Sequence, residues 1–396
     1  MQSDFVFTSE STTDGHPDKL CDQISDAIVG RYLHHDPASR IVAECAVSTG
    51  LVFLSIKYHG TATVNAADTA REVVRRVGYK DPSFNPKTCT IMTSVHEYED
   101  GEVLDGATLD SADPDSVVAR DQATIFGFAC THTPVLMPLP IWLAHRLSAR
   151  LSAVRKSDLV DYLGPDGKTQ VAVEFKKRRP YRIHGITLVA SQVRTRTPSQ
   201  HKLREDLLRH VVTPVFAEES IRPDDATRIA INPEGPFVLG GPAFHAGLTG
   251  RKTAVDTYGE FARHSGAALS GKDPARVDRV GAYAARHAAK NVVAAGLADL
   301  CEVQLSYSIG IARPVSVQVE TWGSAKLPED AIAARIERCF DFRLASIVKR
   351  FKMLELAPRD PDFYQKLACY GHVGRTDLDL PWERIDQVDS LLAAGS

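Results

Sequence analysis

Three short stretches of this chain carry residue types fit to hold polyphosphate. The first, His16-Pro17-Asp18-Lys19, follows the Gly15 break at the start of a helical pattern. A helix N-terminus offers unpaired N–H groups and a positive dipole end to phosphate oxygens. Asp18 adds a hard oxygen ligand of the kind Mg2+ prefers, although an aspartate there would stabilise the helix start in any case. The second stretch, Gly247-Leu-Thr-Gly-Arg-Lys-Thr253, has glycines that let backbone N–H groups approach an anion, then the adjacent cations Arg251 and Lys252. It is not a Walker A loop, because Arg251 separates Gly250 from Lys252 and the preceding glycine position is His245. Its plain alternative is a surface turn with two solvated cations. The third, Ser270-Gly-Lys-Asp273, sets Lys272 beside a helix start, with Asp278 following.

The elements that must position these residues are legible in part. Arg40 to Gly60 reads as two β-rich runs turning at Ser48-Thr49-Gly50. Thr169–Phe175 and Ile183–Val193 form a second hairpin around KKRRPYR, which reads as a solvated turn. Glu302–Ile311 and Val315–Trp322 form a third, turning at Ala312-Arg313-Pro314. In DKLCDQISDAIVGRYL the residues Leu20, Ile24, Ile28 and Tyr32 recur every four, which predicts a helix with one apolar stripe. Asp273-Pro274 reads as an N-cap and first helical position, and Gly296 as the C′ glycine of the alanine-rich helix between them. The acidic, aperiodic segment Glu97–Val118 reads as a long mobile lid. Strand pairs alternating with helices argue for an α+β fold, with helices on one face of each sheet.

Composition excludes several classes. The 396 residues, 43% apolar and 24% charged, suffice for two or three units with their own cores. A net charge of −3 gives no basic field for nucleic acid or an anionic membrane. No apolar run approaches the ~20 residues that span a bilayer, and MQSDFVFTSEST does not read as a signal peptide. Seven scattered cysteines without C-x-x-C spacing indicate neither a disulfide framework nor a zinc site. The expected setting is soluble, reducing and cytoplasmic.

Longer motifs go further. SESTTDGHPDKLCDQISDAI, INPEGPFVLGGP, GLTGRKTAVDTYG, SGKDPARVDR, AYAARHAAKNVVAAGLADLCEVQLSYSIGIARP and CYGHVGR resemble the S-adenosylmethionine synthetase family, from about Phe5 to Trp382. The resemblance implies three similar α/β domains in pseudo-threefold arrangement, each a mixed sheet with helices on one face. They would span residues 1–100, 114–230 and 231–385, with the lid at 97–118. It implies homodimers or tetramers with active sites between subunits, and two Mg2+ ions and one K+ as cofactors. In the implied reaction a thioether sulfur attacks C5′ of ATP and expels triphosphate, which is then hydrolysed to pyrophosphate and phosphate. His16 matches the histidine near the bridging oxygen of the leaving group. Lys168, Arg251, Lys252 and Lys272 match the phosphate cations, with Asp256 in register as a further nucleotide contact. Asp121 matches a nucleoside contact and Phe237 the ring against adenine. Asp18 and Asp278 match Mg2+ ligands, Glu44 the K+ ligand, and Ile309 the apolar residue near the sulfonium.

The half of the site that would hold the nucleophile departs from the family pattern. His245 stands where the family has aspartate, and Lys57 where it has the glutamate facing the amino acid's ammonium. Tyr98 replaces a glutamine, Arg276 a lysine and Pro236 an arginine, and Arg120-Asp-Gln-Ala123 replaces G-D-Q-G. Arg276 is near-conservative for a carboxylate. Lys57 reverses a charge: an ammonium within ~4 Å of it would be repelled by about 4 kcal/mol at an effective dielectric near 20. The pocket of Lys57, Tyr98, His245, Arg276 and Ile309 therefore reads as built for a methionine relative that lacks a free ammonium or is more anionic. An ordinary L-methionine-using synthetase, or a non-catalytic ATP-binding partner of one, remain the alternatives.

Overall fold

The computed structural model describes residues 3–99, 109, 113–238 and 240–394, and within them a three-round repeat organises the chain. The first round runs β1 (Phe5–Thr12), α1 (Pro17–His35), β2 (Arg40–Ser48), β3 (Leu51–His59), α2 (Ala66–Val77) and β4 (Thr90–Glu97). The second runs β5 (Ala123–Cys130), α3 (Leu139–Lys156), β6 (Leu163–Lys176), β7 (Arg179–Gln192), α4 (Gln200–Leu207), α5 (Thr213–Ala217) and β8 (Arg228–Ile231). The third runs β9 (Gly247–Leu248), α6 (Thr253–Asp256), α7 (Val277–Ala294), β10 (Leu300–Tyr307), β11 (Ser316–Glu320) and α8 (Glu329–Cys339). Short helices α9 (Leu344–Arg350), α10 (Met353–Arg359), α11 (Phe363–Leu367) and α12 (Val388–Ala393) finish the chain.

Each round gives its first strand away. β1 pairs with β6, β5 with β10 and β9 with β2, all antiparallel, so the sheets are β1-β6-β7-β8, β11-β10-β5 and β4-β3-β2-β9. The exchange is cyclic and ties the three rounds into one body. One long helix covers each sheet: α1 on β2, α3 on β1 and β6, α7 on β5 and β10. The pattern of mixed sheets holds for two of the three, where β4 runs parallel to β3 and β8 parallel to β7. The third sheet is wholly antiparallel among the described residues. After α8 the chain enters α9 instead of returning as a strand, and Tyr307 Oη bonds Phe342 O at 2.8 Å along that path.

Other expectations are corrected in detail. α1 does not show a single buried stripe: β2, α2, α10 and α11 surround it, and Asp18, Asp22 and Asp26 are as buried as Leu20, Ile24 and Ile28. α7 begins at Val277, not after Asp273, because the Asp273 carboxylate accepts Ile41 N and Ala275 N and so holds a turn against β2. Its end is as expected, with Gly296 at φ 67 and Leu297 N bonding Val292 O. β6 and β7 are fourteen residues each, longer than their apolar runs, and meet at Lys177-Arg178 with φ 47 and 62, the two-residue turn that suits strand twist. That turn is not merely solvated, since Arg178 Nη1 donates to Trp322 O at 3.1 Å. Most of the expected lid, residues 100–108 and 110–112, lies outside the described residues. The described cysteines are all free, and no described helix is long and apolar enough to cross a membrane.

Candidate active site

An acidic rail along α1 sets the site. Asp18, Asp22 and Asp26 recur every four residues, so they share one helix face. Asp18 Oδ1 accepts Leu248 N at 3.0 Å, Asp22 Oδ1 accepts Gly250 N at 2.8 Å, and Asp26 Oδ1 accepts Gly271 N at 2.9 Å. Three carboxylates of one helix thus fix both glycine-rich loops. Glycine is required at the closest approaches. A Cβ on Gly247 would lie 2.3 Å from the Pro17 carbonyl, and one on Gly271, at φ +80, 2.1 Å from Ala43 O.

The first cluster forms at the N-terminus of α1. His16 is its N-cap, and its Nδ1 accepts Asp18 N at 3.2 Å. A neutral ring that accepts at Nδ1 carries its proton at Nε2. Burial first, then the charges of Lys168 and Lys252 and the neighbouring His245, lower the His16 pKa to about 2, so the ring stays neutral. Its Nε2–H is buried with no partner among the described residues, a donor held ready for an oxygen that the protein does not supply. Lys252 Nζ lies 3.3 Å and Arg251 Nε 3.6 Å from the Asp18 carboxylate. Lys168 stands on β6 opposite Thr12. His245 lies tilted beside His16, ring centroids 5.1 Å apart with the planes at 58°, and its Nε2 lies 3.1 Å from Asp166 Oδ2, which also accepts Gly241 N at 2.8 Å. Phe244 lies 5.9 Å from His245 and 5.8 Å from Phe237, extending a ring series. The potential ligand atoms of His16, Asp166 and His245 lie within 4.8 Å of one another. The tautomer of His16 argues against a metal there, because its Nδ1 lone pair accepts Asp18 N and its Nε2 bears the proton.

The second cluster lines an open cleft of about 470 Å3, where Glu44, Lys57, Tyr98, Asp121, Lys272, Arg276 and Asp278 come together. Lys272 Nζ donates to Asp278 Oδ2 at 2.6 Å, and Arg276 to Asp121 Oδ2 at 2.9 Å and Tyr98 Oη at 3.4 Å. Glu44 and Lys57, both exposed, make no ion pair among the described residues. They project from the sheet face opposite α1, the face that also carries exposed Phe53, Met92 and Leu248.

Two expected site residues belong to neither cluster. Asp256 is wholly buried against Lys19, which Asp22 also grips at 2.8 Å. Burial drives the Asp256 carboxyl up to about 7 against the pull of Lys19. It anchors α6 from beneath and does not face the site. Ile309 is 61% exposed and does not line the cleft, although Gly310 N bonds Ala119 O beside the segment carrying Asp121. Conversely, Asp22, Asp26 and Asp166 were not anticipated. The first two were readable as aspartates four apart in DKLCDQISDAI; Asp166 carried no local signal beyond its place in GPDGK.

Among the described residues, the carboxylates of Asp18 and Asp278 lie against N–H groups and cations, and as hard oxygen donors they suit Mg2+ completed by phosphate oxygens and water. The N-terminal, central and C-terminal domains of S-adenosylmethionine synthetase match residues 4–99, 116–237 and 239–384. The chain is 49% identical to the S-adenosylmethionine synthase of Acaryochloris marina, over all of this chain and 98% of that one. It is 50% identical to that of Synechococcus sp. (strain JA-2-3B'a(2-13)) over 96% of each, and 47% identical to that of Gloeobacter violaceus over 99% of this chain and 98% of that one. The chain therefore belongs to the S-adenosylmethionine synthetase family, a family of ATP-dependent adenosyltransferases.

Proposed function

We propose that the protein transfers the adenosyl group of ATP to a small sulfur nucleophile that lacks a free ammonium or carries extra negative charge, releasing triphosphate for hydrolysis to pyrophosphate and phosphate. The observation that carries this reading is Lys57, which opens into the cleft that Arg276 also lines and makes no ion pair among the described residues. An anionic group would gain there, and an ammonium would lose. The acid that could compensate is absent at position 245, where a histidine is held by Asp166.

The remaining residues divide by charge. Breaking the C5′–O bond gathers charge on the departing triphosphate, and stabilising that charge is the main catalytic demand. The neutral His16 Nε2–H suits the bridging oxygen, while Lys168, Arg251, Lys252 and Lys272 neutralise the phosphates. Asp18 and Asp278 would hold two Mg2+ ions, which polarise phosphoryl oxygens, and Glu44 would hold K+. Asp121 and Phe237 would position the nucleoside. The two clusters would be completed by each other across a homodimer, or a tetramer built from it, formed on the open face of the first sheet. ATP and the small sulfur compound are the partners. A net charge of −3 and described helices too short or too polar to span a bilayer give no reason to add nucleic acid or membrane; a cytoplasmic setting is part of the proposal.

A second reading, ordinary use of L-methionine, is favoured by the end-to-end identity to S-adenosylmethionine synthases. The test supplies ATP, Mg2+ and K+ with equimolar L-methionine, 3-(methylthio)propionate and N-acetylmethionine, and reads adenosyl products by mass. The expected result favours the compounds without an ammonium, and the double variant Lys57→Glu, His245→Asp shifts turnover toward L-methionine. Efficient turnover of L-methionine at micromolar concentration by the native chain would establish the second reading instead.

A further inference from the structure

The Asp166–His245 pair has a geometry that charge reversal alone does not need. Asp166 is 2% exposed and fixed by Gly241 N, so its carboxylate is a rigid acceptor. With His245 Nε2 turned to that carboxylate at 3.1 Å, the ring is oriented, and Nδ1 is left as its acceptor, without a hydrogen-bond partner among the described residues. A buried carboxylate that orients a partly exposed imidazole is the arrangement of a general base. Its place matters equally. The ring stands between His16 and the Phe244–Phe237 rings, which the reading above assigns to the leaving group and the nucleoside. In a nucleoside triphosphate, C5′ lies between base and phosphates, so His245 adjoins the carbon that the nucleophile must reach. A thioether has no proton to lose, and a base there would have no task.

We infer that Asp166–His245 is the general base for a protic sulfur nucleophile, so that the small molecule adenosylated here is a thiol. This rests on the adenosyl-transfer reading above and narrows its substrate. In the step, the thiol proton passes to His245 Nδ1 as the S–C5′ bond forms. The C5′–O bond breaks with its electron pair going to triphosphate, and His245 returns the proton to water. The products are a neutral adenosyl thioether, triphosphate and one proton. The thiolate, not the thiol, is the effective nucleophile.

The experiment pairs thiols with their S-methyl ethers: 3-mercaptopropionate with 3-(methylthio)propionate, and L-homocysteine with L-methionine, each with ATP, Mg2+ and K+. Native protein is expected to prefer the thiol in each pair and to yield the neutral thioether by mass. In His245→Asn, thiol kcat/KM should fall about 100-fold or more, the usual contribution of a general base, and thioether kcat/KM by far less. The ratio of the two is internal to each sample, so altered folding or ATP binding does not move it. A native preference for the thioethers, or an equal fall for both classes, overturns the inference. Preference for homocysteine over every ammonium-free compound would instead remove the anionic-substrate reading while leaving the base in place.

Discussion

At the scale of single residues, two histidines 5.1 Å apart differ in what their nitrogens meet. His16 accepts a backbone N–H at Nδ1 and is buried among cations, which fixes it as a neutral donor. His245 turns its Nε2 to a carboxylate. Sequence motifs identified the first as a phosphate-facing group and the second as a misplaced residue, because a motif carries position but not partner: Asp166 is 79 residues from His245 in the chain. The neutral state of His16 has a kinetic consequence. Its ring, lowered to about 2, does not change charge between pH 6 and 9. Removing a preorganised donor of this kind costs about 10²–10³ in kcat. His16→Asn should therefore lower triphosphate formation by that factor, and the native-to-variant ratio should stay flat from pH 6 to 9. A ratio that rises or falls tenfold over that interval would mean that the ring titrates during turnover.

At the scale of elements, α1 shows why amphipathic reasoning reads only half of a helix. The apolar residues Leu20, Ile24 and Ile28 set a period of four, and Asp18, Asp22 and Asp26 repeat it on another face. A surface helix would leave those acids in water, whereas here tertiary partners bury them. Arg279 binds Asp26 at 2.7 and 3.1 Å with both side chains wholly buried, and the guanidinium lies 4.4 Å over the Tyr364 ring. Breaking a buried pair by removing one partner strands the other charge and typically costs about 3–5 kcal/mol. Asp26→Ala should lose stability of that order in urea unfolding and free the Gly271 loop with it; a loss below 1 kcal/mol would mean that Arg279 finds another acceptor. Hairpins and long helices were legible because their signals are local. The cyclic gift of β1, β5 and β9 was not, since nothing in FVFTSEST names Lys168 to Phe175 as its partner. The start of α7 was misplaced for the same reason: Asp273 serves Ile41, 232 residues away, and not the helix that follows it.

At the scale of the whole molecule, burial and sharing each leave a measurable trace. Burial holds His145 at a pKa of about 3 and His132 and His287 at about 4, below the unfolded value near 6.5. A group whose folded pKa is depressed contributes stability above the unfolded pKa and loses it as pH falls toward the folded one. Each ring therefore withdraws about 1.4 kcal/mol per pH unit below 6.5. Glu383, held near 2 by Arg286 and Lys290 against its burial, begins to lose its contribution only below about 4.5. Asp256, pushed up to about 7, takes its proton in the folded state over the same interval and opposes this trend. One carboxyl does not offset three rings, so urea midpoints should still drop between pH 6.5 and 4.5. The His16 and Lys272 clusters lie at different points along the rail, and Asp18 and Asp26 are about 12 Å apart at 1.5 Å per residue. Glu44 and Lys57 stand on the open sheet face that carries Phe53, Met92 and Leu248, and the proposed homodimer seats a second copy there with its His16 cluster over this cleft. In that proposed dimer, two-fold symmetry would give two sites, each using one cluster from each chain. His16→Ala and Lys272→Ala homodimers should both be inactive at both sites. Co-expressed, they assort so that half the dimers are mixed, and each mixed dimer holds one site with both changes and one with neither. Activity of about a quarter of the native level should return. If each chain contained a complete site, every site in the mixture would carry one change, and nothing would return.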